Sequence, residues 1–508
     1  MLGRTLRTLP LFVLLMGVGA VAMLLPALHA WASRDFASMR AFSYAALLFA
    51  LLTGLIALAT TGRQPRSAAR SQLLTLLLAY ALLPLMFAVP FQEAGRNITF
   101  FDAWFEMVSS FTTTGAALFE DAGRLQPSLH LWRATVGWLG GLLAWIMAIA
   151  IFAPMNLGGF EVRTAGGGPR ASASHFNQIG RTTLVQDRLF RHAGTLVPIY
   201  AALTFVLWLG LVIAGEVPYI ALCHAMAVLS SSGISPIGGL YFATSGVWGE
   251  MLIFAFFVFA LSRLTFSRGM FGDSDARLRR DPEMRLAFGL IAGTTILLFA
   301  RHFIITVEEG APNGLTDLFA SVWGSLFTVT SFLTTTGFES RYWEGATVWS
   351  GLETPGLFLV GLALIGGGVA TTAGGVKLLR VYALARHSER EVERLLHPSS
   401  VGGGGREARM IRQQGAYVAW IFFMLFALSV AATMLLLSLT GVQFETAMVL
   451  TVASLSNTGP LAIVAAEQPI AYAGLPYLAQ TVLAGAMVLG RLETLAIVAL
   501  FNPEIWRR

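Results

Sequence analysis

The chain has one cysteine, Cys223, and one lysine, Lys377, in 508 residues. A single thiol excludes an intrachain disulfide and a thiolate metal cluster. The eight histidines include no HExxH pair or other paired-ligand spacing, and no nucleophile stands in a convergent catalytic pattern. Nothing therefore points to an enzyme. No GxGxxG follows a strand pattern and there is no Walker sequence, so nucleotide control would have to come from a separate protein. Charge is also scarce. Asp, Glu, Lys and Arg make up 12% of the chain, about half the share in soluble domains.

Hydrophobic residues are abundant, at 56% of the total. A soluble core of this size could not bury so much apolar surface, whereas a bilayer can, which predicts an all-α polytopic membrane protein. Long apolar runs near residues 9–31, 42–61, 72–90, 131–154, 194–214, 247–266, 286–306, 350–376, 416–440 and 474–501 predict ten membrane helices. An even number puts both termini on one side. Arg4, Arg7, Arg507 and Arg508, with Arg63, Arg66, Arg70, Arg277, Arg279, Arg280 and Arg285, mark that side as cytosolic. The exceptions on or near the outer side are Arg34, Arg40, Arg96, Arg124, Arg133, Arg301 and Arg341, while Arg491 falls inside a span. Such one-sided charge explains the net +6 without nucleic acid. Ala30-Trp31-Ala32-Ser33 faintly resembles a signal-peptidase site, but the run from Leu9 to Trp31 has the length of a membrane span.

Four shorter semi-apolar segments lie between spans on the outer side, near residues 98–115, 218–233, 315–337 and 442–459. Each ends in a polar cluster and a glycine: Thr112-Thr113-Thr114-Gly115, Ser230-Ser231-Ser232-Gly233, Thr334-Thr335-Thr336-Gly337 and Ser456-Asn457-Thr458-Gly459. This is a fourfold internal repeat. It predicts two leading membrane helices (residues 1–68) and then four parallel units of helix, re-entrant loop and helix. Their boundaries fall at 69–192, 193–284, 285–411 and 412–508, around a pseudo-fourfold axis along the membrane normal.

Irregular backbone at membrane depth is tolerated only where protein buries it or water bathes it. Four such loops therefore predict a shared polar path. Backbone carbonyls can replace the hydration shell of a cation, and glycine can turn neighbouring carbonyls toward an axis by adopting φ > 0. The expected filter residues are Thr113, Thr114, Gly115, Ser231, Ser232, Gly233, Thr335, Thr336, Gly337, Asn457, Thr458 and Gly459. The C-termini of the preceding short helices, each with about −0.5 charge, would favour a cation between them. Glu120, Asp121 and Glu339 follow loops one and three and suit an acidic outer mouth.

Residues 364–377 break the pattern of a membrane helix. They include Gly366, Gly367, Gly368, Gly374 and Gly375 with Thr371 and Thr372. Each interior glycine costs about 0.8–1 kcal/mol relative to alanine, so a hinge or unwound loop beneath the filter is expected. Lys377 would act either as an interfacial anchor or as a charge near the pore. Arg491 within the last span invites a functional role, or a structural bond to carbonyls of the Gly-rich loop. Residues 387–414 read as a charged helix and a flexible linker.

The four glycine-tipped loops resemble the Trk/Ktr/HKT superfamily of potassium transporters. The run from Gly366 to Lys377, Ser456-Asn457-Thr458-Gly459-Pro460, Gly490-Arg491-Leu492-Glu493 and Phe501-Asn502-Pro503-Glu504-Ile505-Trp506 resemble its bacterial TrkH-type branch, as do the two leading spans. This resemblance implies K⁺ uptake across a bacterial inner membrane, with bound K⁺ and no organic cofactor. It also implies a homodimer with one pore per protomer, docked on cytosolic nucleotide-binding (TrkA-like) subunits. In plant relatives, serine at the first-loop glycine marks Na⁺ permeation, whereas this chain has Gly115. Residues 364–377 would obstruct the cytosolic path when closed, and Arg491 would limit conduction. The alternative is a K⁺/H⁺ or K⁺/Na⁺ symporter, for which Glu493 is the best carboxylate relay.

Overall fold

The computed structural model describes residues 9–60, 68–119, 121–155, 157, 159–160, 185–262, 281–309, 315–350, 352, 354–397, 413–466 and 468–493. Among these the structure is helical, without strands. The order is α1 (Leu11–Ala32), α2 (Phe36–Thr60), α3 (Ala68–Ala94), α4 (Phe100–Phe111), α5 (Pro127–Met155), α6 (Val185–Ile213), α7 (Pro218–Ser230), α8 (Gly246–Leu261), α9 (Pro282–Glu309), α10 (Leu315–Leu333), α11 (Trp343–Ser350), α12 (Gly356–Ile365), α13 (Leu378–Leu396), α14 (Gln413–Leu439), α15 (Phe444–Leu455), α16 (Leu461–Val464) and α17 (Tyr477–Leu492).

Seven described helices, namely α1, α2, α3, α5, α6, α9 and α14, are long and apolar enough to cross a membrane. The three other expected spans are shorter in their described parts. Two of them, α8 and α17, end at Leu261 and Leu492, where Ser262 and Glu493 leave helical geometry. The run 350–376 holds only the ten residues of α12, because glycine pulls the chain out of helix at Gly366. The arginine clusters at 4–7, 63–66, 277–280 and 507–508, the linker glycines 402–405 and the motif 501–506 lie outside the described residues.

Local chemistry sets the helix ends. α4 starts with a capping box in which Asp102 N donates to Thr99 Oγ1 (3.1 Å) and the Asp102 carboxylate accepts from Thr99 N (3.3 Å). α5 and α7 begin with proline, whose missing N–H is no loss at the first helical position. The outer helices expose apolar rows, as with Leu47, Leu51, Leu55 and Leu58 of α2. Such surface on a helix of membrane-spanning length belongs against lipid.

Burial is deepest where the short helices α4, α7, α10 and α15 meet the long ones. α1–α3 join α4, α5 and α17 in one apolar cluster around Phe42, Phe87, Phe111 and Trp132. Trp132 Nε1 donates to Phe87 O at 3.1 Å. A second cluster joins α5 through α8, and a third joins α9, α10, α12 and α15. Small residues let backbones touch at these contacts. A Cβ on Gly140 of α5 would overlap Phe111 O at the end of α4, and one on Gly490 of α17 would overlap Leu455 O at the end of α15.

Gly140→Leu is therefore expected to push α5 off α4. Overpacking costs about 1–3 kcal/mol, so the thermal midpoint in detergent should fall by about 1–3 °C. Gly54→Leu, where no atom lies within 4 Å of the new Cβ, should leave it in place. Equal midpoints for the two variants would refute the contact.

Candidate ion pathway

All four short helices end in the same turn. The residue two before each glycine has a left-handed backbone: Thr113 (φ 57°), Ser231 (φ 51°), Thr335 (φ 56°) and Asn457 (φ 55°). Its N–H bonds back to Ser110 O, Val228 O, Phe332 O and Ser454 O, respectively. The next N–H reaches one residue further, from Thr114 to Ser109 O (2.8 Å), Ser232 to Ala227 O (2.9 Å), Thr336 to Ser331 O (2.9 Å) and Thr458 to Ala453 O (2.8 Å). This is a Schellman motif, in which glycine normally takes the left-handed position. A β-branched threonine there is an outlier, and strain of about 1–3 kcal/mol must be held by its surroundings.

A hydroxyl pair spans each strained residue. Thr112 Oγ1 lies 2.8 Å from Thr114 Oγ1, Ser230 Oγ 2.9 Å from Ser232 Oγ, Thr334 Oγ1 3.1 Å from Thr336 Oγ1, and Ser456 Oγ 3.2 Å from Thr458 Oγ1. The alternating Ser/Thr pattern in the sequence thus has a mechanical use. These hydroxyls clamp the turn.

The loops come together in ring order. A Cβ on Gly115 would strike Ser232 O, one on Gly233 would strike Thr336 O, one on Gly337 would lie against Pro460, and one on Gly459 would strike Ala116 N. Loop one therefore touches loop two, two touches three, three touches four, and four closes on one. Gly115, Gly233 and Gly337 have φ of 73°, 63° and 82°. Gly459 departs from the expected positive φ. Its lack of a side chain is needed instead for close approach, since its N–H donates to Thr114 O at 2.6 Å. Asn457 Nδ2 adds bonds to Thr114 Oγ1 (3.0 Å) and Met487 O (2.9 Å).

The Gly-rich segment lies against this ring. Between α12 and α13 the chain leaves helical geometry, with positive φ at Gly366, Ala370, Gly375 and Lys377. Gly374 N donates to Thr335 Oγ1 (2.7 Å), Thr372 Oγ1 donates to Leu229 O (3.0 Å), and a Cβ on Gly374 would strike Ser456 O. These contacts reach units two, three and four, and Val369 packs against Gly159 of unit one. Gly367 and Gly368 pack on Ala260 O and Leu261 O, and Thr371 Oγ1 bonds Gly368 O at 2.7 Å. Val369 N donates to the buried Glu283 carboxylate at 2.9 Å.

Two cations fix the segment. Arg491 donates to Thr372 O at 2.7 Å, and Lys377 Nζ donates to Ala373 O. Lys377 is buried, so it does not serve as an anchor at the membrane surface. Arg380 pairs with Glu493 at 2.7 Å, bonds Val376 O at 3.2 Å, and lies 3.6 Å from the centre of the Phe422 ring. A cavity of ≈ 30 Å³ lined by Ala148, Thr371, Gly374, Lys377, Gly490 and Arg491 has room for a water or two rather than a hydrated cation. A π-helical turn at Ala148–Phe152 forms part of its wall.

All the expected filter and segment residues are thus brought to one region. The acidic-mouth candidates are less uniform. Asp121 is exposed and accepts from Gly123 N at 2.8 Å, Glu339 is half-buried two residues after Gly337, and Glu120 lies outside the described residues. Arg133, expected on or near the outer side, is enclosed by protein. It is buried in α5 and paired with the buried Glu106 at 2.8 Å. The acid inside an apolar segment was its available signal. The clamp pairs, Glu283 and the Arg380–Glu493 pair were not anticipated either, because they depend on contacts between distant segments.

Residues 217–508 match the TrkH family, described as cation transport proteins. The chain is 28% identical over 491 residues to the Trk system potassium uptake protein TrkH of Salmonella typhimurium, covering 96% of each chain. It is 31% identical over 418 residues to TrkH of Halomonas elongata, covering 80% of each. The crystal structure of the potassium transporter TrkH from Vibrio parahaemolyticus has the same fold, with a TM-score of 0.81 over 99% of both chains at 24% identity. The chain belongs to the TrkH family of cation transport proteins.

Proposed function

We propose that this chain carries K⁺ inward across a bacterial inner membrane, through a pore whose selectivity filter is the ring of four loops. Four parallel units of helix, loop and helix would surround the pore axis, preceded by α1 and α2. The observation that carries this is the recurrence of one clamped turn at four places in the sequence, with each loop packed against the next. A single Ser/Thr-rich loop would be ordinary helix packing. Four with the same backbone, closed into a ring, suit a shared ion path.

The chemistry follows from the turns. Hydroxyls engaged in clamping leave carbonyl oxygens to replace water around a dehydrated alkali cation. The C-terminal ends of α4, α7, α10 and α15 add negative potential at the same depth. A membrane potential of 100 mV supplies about 2.3 kcal/mol per charge, sufficient for accumulation without hydrolysis. Residues 366–377 act as the gate. Their bonds to Thr335, Leu229 and Arg491 favour a closed arrangement. Homodimerisation and docking of nucleotide-binding regulatory subunits on the cytosolic face complete the proposal, which rests in those two respects on the family. A K⁺-coupled symporter is less favoured, because Glu493, its best relay, is already held by Arg380.

Two outcomes test this in proteoliposomes by ⁸⁶Rb⁺ flux with competing Na⁺. Gly115→Ser puts a Cβ onto Ser232 O and strains a φ of 73°, so K⁺/Na⁺ discrimination should fall. Unchanged discrimination would remove loop one from the filter. Arg491→Ala loses a charge-assisted bond to Thr372 O, an interaction of about 1.5–3 kcal/mol. Basal flux should rise about ten-fold or more, and flux at or below wild type would contradict a closing role. A reversal potential that shifts with pH would favour proton coupling instead.

A further inference from the structure

The residue nine positions before each filter glycine reveals a second repeated device. These residues are Glu106, His224, Thr328 and Leu450, all on the short helices. The first three reach across to the strand of chain leaving the filter. Glu106 Oε1 accepts from Leu118 N at 2.6 Å, three residues past Gly115. Thr328 Oγ1 accepts from Ser340 N at 3.2 Å, three residues past Gly337. His224 Nε2 lies 2.9 Å from Ser235 Oγ, two residues past Gly233. All three side chains are buried.

The outer arms of loops one and three, which face each other across the ring, also meet buried carboxylates. Glu106 is backed by Arg133 at 2.8 Å. Beside Thr328, Glu250 of α8 accepts from Ser340 Oγ, Arg341 N and Trp323 Nε1, each at 2.8 Å. The fourth loop breaks the pattern. Leu450 offers no polar atom, and Tyr472 instead donates to Gly459 O at 3.0 Å.

We propose that Glu106, His224 and Thr328 are positioning residues for K⁺ selection, acting as braces that hold the outer arms of three filter loops at a fixed distance from the axis. Resting on the filter function proposed above, this names what sets its width. The braces touch no ion. They tie the outgoing arm to the short helix that also carries the clamped turn, so the carbonyls between those two points have little freedom to close on a smaller cation. Loop four, tied through its own glycine carbonyl, is the asymmetric member.

The test compares two double variants in proteoliposomes, reading the ⁸⁶Rb⁺ to ²²Na⁺ flux ratio. Arg133→Met removes the charge partner in both. Glu106→Gln keeps an oxygen to accept from Leu118 N, and Glu106→Leu removes it. The Gln variant should keep a ratio near wild type. The Leu variant should lose it by about ten-fold, the scale of one buried acceptor, while still passing Rb⁺. Equal ratios in the two variants would overturn the proposal. Thr328→Val carries the same test without a charge and decides the matter if the Leu variant does not fold. A wild-type ratio there refutes the brace. Gly115→Ser in the same vesicles separates the two levels. If it relaxes the ratio while the brace variants do not, the filter stands and the braces fall.

Discussion

Everything in the site depends on a left-handed turn placed where glycine is absent. At Thr113, Ser231, Thr335 and Asn457 the chain reverses out of a short helix with a side chain in an unfavourable backbone region. The flanking hydroxyl pair and two backward N–H bonds hold that conformation. Relaxing the turn would return the carbonyls that follow it to helical directions. The strain is therefore linked directly to the direction of the carbonyls that follow the turn, and the buried clusters around α4, α7, α10 and α15 keep it from relaxing.

The same economy of contact places the Gly-rich segment. Its glycines allow backbone to lie on backbone, at Ala260, Leu261 and Ser456. The segment is joined to the ring through Thr335 and Leu229 and to α17 through Arg491. It also leads straight into α13, whose first turn holds the Arg380–Glu493 pair. Movement of α13 would therefore pull on the segment beneath the ring. The surface pairs further along α13, Arg386–Glu389 and Arg394–Glu391, contribute little to stability.

Much of this was legible in the sequence. Hydropathy located the long helices, and the recurrence of Ser/Thr-rich segments ending in Gly115, Gly233, Gly337 and Gly459 located the ring. Glycine density marked residues 366–377 as non-helical. Three things were hidden, for identifiable reasons. The left-handed residues are Thr, Ser and Asn, and no propensity scale would place threonine there. Gly459 matches its counterparts in sequence, yet close packing rather than positive φ explains it. The pairing of Arg133 was hidden because its partner, Glu106, lies on a different helix. A linear pattern records what each segment prefers, whereas these features record what two segments do when pressed together.

The central claim is that main-chain oxygen from four loops receives a dehydrated alkali cation at one axis. Anomalous diffraction from crystals grown in Rb⁺ or Tl⁺ tests it most directly. The account predicts a peak inside the ring, among the carbonyls that follow Thr113, Ser231, Thr335 and Asn457. Ordered peaks confined to the protein surface, with the ring interior empty at saturating ion, would contradict it.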